Sequence, residues 1–304
     1  MSARAYAYVA CMFVVIFYSG NILTGKALTE LPPFTVAFLR VAIACLVLAP
    51  LGWRAAWRAR SVFRRHAWPL LFLTVTGVTF FNTFIYAALH FTSAANVSVL
   101  EAVIPVVTAL LSAWLLREML RPVQWAGVLV SLAGALWVVQ GGVTDQATTG
   151  RGLGDLIMVG AIVSWALYSV AVRRYMPLFP EYGVLLVMTA LSVAVLLPFV
   201  AVEWLIVGVP DLGQGSLWPG LVYLGIFPSV VALVLYNRAV KILGASQAAI
   251  FLNFLPVITM LGAYILLGEE ITLGQVSGAG LVMAGVVLTT RVGRLSTSEP
   301  RSSG

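Results

Sequence analysis

Ten apolar runs of roughly 20 residues follow one another along this chain, and that pattern leaves little choice of solvent. They cover residues 6–24, 34–51, 68–89, 94–116, 123–140, 156–172, 182–207, 217–236, 246–267 and 274–290. Hydrocarbon offers backbone amides no partner, so each run must satisfy its own hydrogen bonds. Helices do this within one segment, and the runs lack the period-two alternation of a barrel strand. With 61% hydrophobic and 10% charged residues and a mean hydropathy of +1.00, a soluble globular domain is excluded. The expected fold class is an all-α membrane protein with ten transmembrane helices and almost no chain left for a soluble domain.

The net charge of +7 could suggest nucleic acid, but basic residues in a membrane protein first report topology. When the connecting segments are assigned to alternate sides, 15 Lys and Arg residues fall on one side, among them Arg4, Arg54, Arg58, Arg60, Arg64, Arg65, Arg121, Arg174 and Arg238. Only Lys26 and Arg151 fall on the other, and Arg40 lies inside a run. Both termini are therefore expected in the cytoplasm, with no nucleic-acid partner. Cys11 and Cys45 both lie within apolar runs and read as packing residues rather than a disulfide. The first run has neither a long cationic leader nor a small-residue cleavage site, so it reads as a retained helix. Residues 296–304 read as a short disordered tail.

The chain is also written twice. At a constant offset of 151, Ala94 matches Ala245, Pro105 matches Pro256, Thr108 matches Thr259, Glu118 matches Glu269, Gln124 matches Gln275, Gly127 matches Gly278 and Gly134 matches Gly285. Coincident Pro, Glu and Gln at one spacing point to duplication, with a first repeat over 1–145 and a second over 150–295. Five runs per repeat is an odd number, so the second copy enters the bilayer from the opposite side. Inverted repeats of that kind typify secondary transporters, which implies movement of a small solute.

Several segments carry a family resemblance. They are Phe17-Tyr18-Ser19-Gly20-Asn21 with Lys26, Phe38-Leu39-Arg40, and Thr92-Ser93-Ala94-Ala95 leading to Pro105. In the second half they are Gly154-Asp155, Ser164-Trp165-Ala166-Leu167-Tyr168 with Arg173-Arg174, and Gly244-Ala245-Ser246 leading to Pro256 and Glu269. Together they resemble the EamA-like branch of the drug/metabolite transporter superfamily over nearly the whole chain. The resemblance implies a ten-helix inner-membrane carrier of two five-helix repeats that works by alternating access in a bacterial plasma membrane. YddG-type members, exporters of aromatic and other neutral amino acids, are similar in size and layout.

A solute site near the bilayer midplane needs polar or aromatic side chains that lipid does not tolerate. Tyr18 and Asn21 share a helix face three residues apart, and Trp165 and Tyr168 repeat that spacing at the equivalent place in the second half. They either line a central cavity or pack between helices. Arg40 and Glu101 lie about 10 Å deep at 1.5 Å per residue. Three readings of them stand: a pair that locks two helices, a pair facing the cavity that grips a zwitterion or responds to protons, or an Arg40 that snorkels outward alone. Asn82 and Tyr86 one turn apart, with Gln247 and Asn253, are further candidates for either substrate or interhelical hydrogen bonds. His90 reads as interfacial. Pro105 and Pro256 read as kinks serving as hinges, or as static bends. The small residues of the fifth and tenth runs, Gly127, Ser131, Gly278 and Gly280 among them, read as close helix contacts or a dimer contact.

No catalytic residue, metal or cofactor is expected. Gly20 to Lys26 has the spacing of a phosphate loop, but Ala27 stands where a Ser or Thr is required. Gly152-Leu153-Gly154-Asp155 resembles the element of intramembrane aspartyl proteases, the remote enzymatic alternative, yet no second Asp lies in a run. Asn96-Val97-Ser98 forms a sequon that opens an apolar run. The expected partners are a small metabolite and the bilayer, in a monomer or homodimer. Cationic drugs or nucleoside-like metabolites are the alternative cargo.

Overall fold

The computed structural model describes residues 2–116, 121–141, 151–243 and 251–291, and all regular structure in them is helical. The first half contains α1 (Ala3–Ala27), α2 (Pro33–Arg58), α3 (Ala67–Leu89), α4 (Ala94–Leu115) and α5 (Pro122–Gly141). The second contains α6 (Arg151–Tyr175), α7 (Glu181–Val207), α8 (Leu217–Ala239), α9 (Leu255–Leu267) and α10 (Leu273–Arg291). Among the described residues, α1 to α8 are long and apolar enough to cross a membrane, while α9 and α10 are shorter apolar helices. A short basic helix, Arg60–Arg65, joins α2 to α3.

Local chemistry sets the ends. Ser93 Oγ accepts from Asn96 N at 3.1 Å and so starts α4. Thr272 and Gln275 exchange side-chain and backbone bonds of 3.2 and 2.9 Å to start α10, a reciprocal capping box. The same Gln in the first repeat, Gln124, accepts from Arg121 N at 2.9 Å. Gly268, at φ +65°, ends α9, and Glu269 N donates back to Ala263 O at 3.1 Å. That left-handed turn is one that a residue with a Cβ adopts only at a cost.

Two pairs of equivalent helices, α2 with α7 and α5 with α10, run antiparallel. Glu203 near the end of α7 accepts from Phe34 N at 3.0 Å and Thr35 N at 2.8 Å at the start of α2, while Gly183 near the start of α7 lies against Ala55 and Ala56 at the end of α2. In the α5–α10 pair, Gln124 Nε2 donates to Thr289 O at 3.1 Å and Trp137 Nε1 to Ser277 Oγ at 3.2 Å. Helix α1 packs on α8 and α9, and α6 packs on α3 and α4. Exchanging the halves turns one set of contacts into the other.

The irregularities repeat as well. Helix α3 contains a π-helical stretch, Thr74–Phe80, and α8 contains another, Phe227–Val231. Helix α4 breaks at residues 102–103, and a matching turn at 253–254 precedes α9. Pro105 and Pro256 each stand second in the segment after the break, where a helix needs no amide donor. The prolines therefore restart helices and do not merely bend continuous ones.

Candidate functional site

A cavity of about 150 Å³ opens between α1, α2, α3, α4, α6, α7 and α8. One water needs about 10–15 Å³ by this measure, so the space suits a solute on the order of ten heavy atoms. Its lining includes Tyr18, Asn21, Arg40, Phe81, Asn82, Glu101, Trp165, Tyr168, Thr189 and Ser229. It runs from Arg40 toward Leu48, Leu185 and Leu233, the end of the bundle at which α2 finishes and α7 begins.

Arg40 forms the closed end of this space. It is only 7% exposed, and neutral oxygens hold it. Its Nη1 donates to Asn21 Oδ1 at 3.0 Å, to Tyr86 Oη at 2.6 Å and to Asn82 Oδ1, while Nε donates to Ser229 Oγ at 2.9 Å. Each acceptor is oriented by its own helix or neighbour. Asn82 Nδ2 donates to Val78 O at 3.2 Å, which turns Oδ1 toward Arg40. Tyr86 Oη donates to Asn21 Oδ1 at 2.9 Å. Pro228 has no amide to give Leu224 O, and the Ser229 hydroxyl takes that place at 2.7 Å, leaving its lone pairs for Arg40. The Pro228-Ser229 dipeptide thus makes the π-helical stretch and positions the guanidinium.

Arg40 and Glu101 line the same cavity, yet no ion pair joins them among the described residues. The expectations of an Arg40–Glu101 lock and of an outward-reaching Arg40 are corrected on this point. Four side chains from α1, α3 and α8 satisfy the guanidinium where it stands. Glu101 ends the first segment of α4, and its Oε2 is buried without a hydrogen-bond partner.

The opposite wall is aromatic. Trp165 lies 4.3 Å from Phe81 and 5.0 Å from Tyr168 between ring centroids. The Tyr168 ring fills the space above Gly77, so a side chain there would collide with it. Tyr18 completes the lining from α1.

Beyond Arg40 the bundle is sealed. Lys26 Nζ donates to Leu89 O at 2.7 Å and Thr92 O at 2.9 Å at the end of α3. Glu269 accepts from Ala94 N at 2.9 Å and Ala95 N at 3.3 Å, placing a negative charge on the first turn of α4. Gln275 Nε2 reaches Asn96 Oδ1 at 2.7 Å, and Thr92 Oγ1 donates to Asp155 Oδ1 at 3.1 Å. Asp155 therefore sits in this seal and away from the cavity. Glu269→Ala should cost about 1–2 kcal/mol by removing a helix cap and its charge. A lowered thermal midpoint in detergent would show it, and an unchanged midpoint would rule out an energetic role.

The other candidates divide. Tyr86 is fully buried behind Arg40 and supports the lining without joining it. Asn253 lies in the turn before α9, outside the lining. Gln247, with Glu118, lies outside the described residues. His90, in the turn that follows α3, bonds Tyr86 O at 2.8 Å and Leu31 O at 3.2 Å. Phe81, Thr189 and Ser229 were missed. Only Ser229 left a signal, a hydroxyl directly after a proline within an apolar run.

A bundle of long apolar helices around a closed-ended polar and aromatic cavity is the form of a membrane carrier. The chain belongs to the EamA-like transporter family, whose model matches residues 5–140 and 152–291. It is a multi-pass inner-membrane transporter, not an enzyme. It is 30% identical to the uncharacterized transporter YyaM of Bacillus subtilis, covering 78% of this chain and 77% of that one. It is 28% identical to a probable terminal-alkyne amino-acid exporter of Streptantibioticus cattleyicolor, covering 88% and 84%. It is also 24% identical to a probable amino-acid metabolite efflux pump of Salmonella typhimurium, covering 94% and 95%. A crystal structure 24% identical in sequence shares the fold at a TM-score of 0.65, over 96% of this chain and 99% of that chain.

Proposed function

We propose that this protein exports aromatic and other neutral amino acids, in the manner of YddG-type carriers, through the cavity between Arg40 and Trp165. The carrying observation is a cavity of amino-acid size holding a fixed cation, a separate carboxyl group and an aromatic wall. Two relatives named for amino-acid export support the same cargo. The carrier has ten transmembrane helices in two inverted five-helix repeats, with both termini cytoplasmic. Antiparallel equivalent helices and the basic residues at one set of ends support that layout. Rocking about the breaks beside Pro105 and Pro256 opens the cavity to alternate sides, and the form described opens toward the cytoplasm.

Binding to purified protein across a panel of amino acids, cationic drugs and nucleosides tests this reading. Neutral and aromatic amino acids should bind. Trp165→Ala should weaken phenylalanine about tenfold, near 1.4 kcal/mol, and alanine less. Binding of cationic drugs with no amino acid bound would select the second reading. The unpaired Glu101 carboxyl speaks for that cargo, while the Arg40 charge in the same space speaks against it.

A further inference from the structure

Arg40 and Glu101 stand in one cavity, unpaired with each other, and each keeps unused hydrogen-bonding capacity. The guanidinium commits Nη1 and Nε to Asn21, Asn82, Tyr86 and Ser229, and Nη2 has no partner among the described residues. Among the described residues Glu101 is the only acid in the cavity lining, and its Oε2 is buried and unpartnered. Native structures rarely leave a buried oxygen such as Glu101 Oε2 unsatisfied, because it costs the full desolvation penalty. A buried, unpartnered carboxylate oxygen that shares one solute-sized space with a guanidinium whose Nη2 is uncommitted implies that the solute engages both.

Other charge does not supply the missing partners. Besides Arg40 and Glu101, Tyr18 and Tyr168 are the only ionisable side chains of the lining among the described residues. Helix α5 has no ionisable residue, and the Tyr264 ring of α9 is exposed on the outside. The repeat partner of Glu101 is Leu252, so the acid is present on one side of the pseudo-symmetry only. Duplication supplied the scaffold, and the asymmetric acid gives the cavity a direction.

We infer that Arg40 and Glu101 form a two-point clamp requiring a solute with both a free carboxylate and a free ammonium. The carboxylate meets Nη2 of Arg40 at the closed end. The ammonium meets the Glu101 carboxylate beside the break in α4. The side chain then lies toward Phe81 and Trp165, where ring faces accept aromatic or aliphatic groups. A decarboxylated amine leaves Arg40 unmatched, and a deaminated acid leaves Glu101 unmatched, so both are rejected. Specificity for the zwitterionic head is strict, while the side chain is read loosely.

This inference rests on the amino-acid reading, and one experiment separates the two. Purified protein is titrated with phenylalanine, 3-phenylpropionate, 2-phenylethylamine and phenylalanine amide, and then the Glu101→Gln and Arg40→Lys variants are titrated. Each analogue lacking one charge should bind at least 30-fold more weakly than phenylalanine. Glu101→Gln should weaken phenylalanine at least tenfold and leave 3-phenylpropionate within twofold, since that ligand has no ammonium to lose. Arg40→Lys, which keeps the charge, should leave 2-phenylethylamine within twofold while weakening phenylalanine. If phenylalanine binds and the analogues match it, or if Glu101→Gln weakens both ligands equally, the clamp is wrong and the amino-acid reading survives. If phenylalanine does not bind at all, both fail together.

Discussion

Arg40→Gln should abolish measurable amino-acid flux in proteoliposomes, a loss of more than 100-fold, and should also lower the thermal midpoint. The side chain joins α1, α3 and α8 to α2 through its bonds to Asn21, Asn82, Tyr86 and Ser229. Hydrogen bonds to a charged donor contribute about 1.5–3 kcal/mol each, and buried acceptors left without a donor cost about 1–3 kcal/mol. A glutamine is shorter and uncharged, so it can neither span to all four oxygens nor present a cation to the cavity. Arg40→Lys keeps the charge and loses the planar fork, and it should recover less than a tenth of the flux. The two readouts separate the causes. A lysine variant with a near-normal midpoint and poor flux identifies recognition, whereas parallel loss of both identifies architecture. Wild-type flux in the glutamine variant would remove Arg40 from the transport site.

The helices were legible because lipid imposes one rule on long apolar runs, and α1 to α8 lie where hydropathy placed them. The breaks were less so. Pro105 and Pro256 marked the right neighbourhoods, but a proline in an apolar run looks the same whether it bends a helix or restarts one after Ala102-Val103. Charge rarity drew attention to Arg40 and Glu101, and both line the cavity. Their lack of pairing was not legible, because it depends on neutral oxygens arriving from three other helices. Ser229 is 189 positions from Arg40, and no local pattern connects them. Phe81 was hidden for a different reason: in a chain this rich in aromatics, a ring facing a cavity and a ring facing lipid have the same sequence signature. The seal formed by Lys26 and Glu269 was hidden, because topology, repeat matching and family resemblance marked these residues without indicating what they touch. Their partners are backbone groups, which carry no sequence signal at all.

The seam between α5 and α10 should be the least forgiving surface of the molecule, and Gly285→Leu should remove most folded protein from a detergent extract. A Cβ on Gly285 would stand 2.6 Å from Gly127 O, and one on Gly127 would stand 2.6 Å from Thr289 N and 2.7 Å from Gly285 O. These neighbours are backbone atoms, so no rotamer change can make room. Without a hydrophobic force between helices in lipid, that close approach is itself the source of the attraction. Separating the pair to admit a leucine gives up dispersion contacts along both helices and strains the Gln124–Thr289 bond at one end of the seam. The cost should exceed about 3 kcal/mol, a large part of a total stability of about 5–15 kcal/mol. Gly280 is the matched control on the same helix, since a Cβ there has nothing within 4 Å. Gly280→Leu should therefore leave the size-exclusion profile unchanged, while Gly285→Leu should replace the monodisperse peak with aggregate. Equal behaviour of the two variants would show that the glycine seam does not hold the halves together.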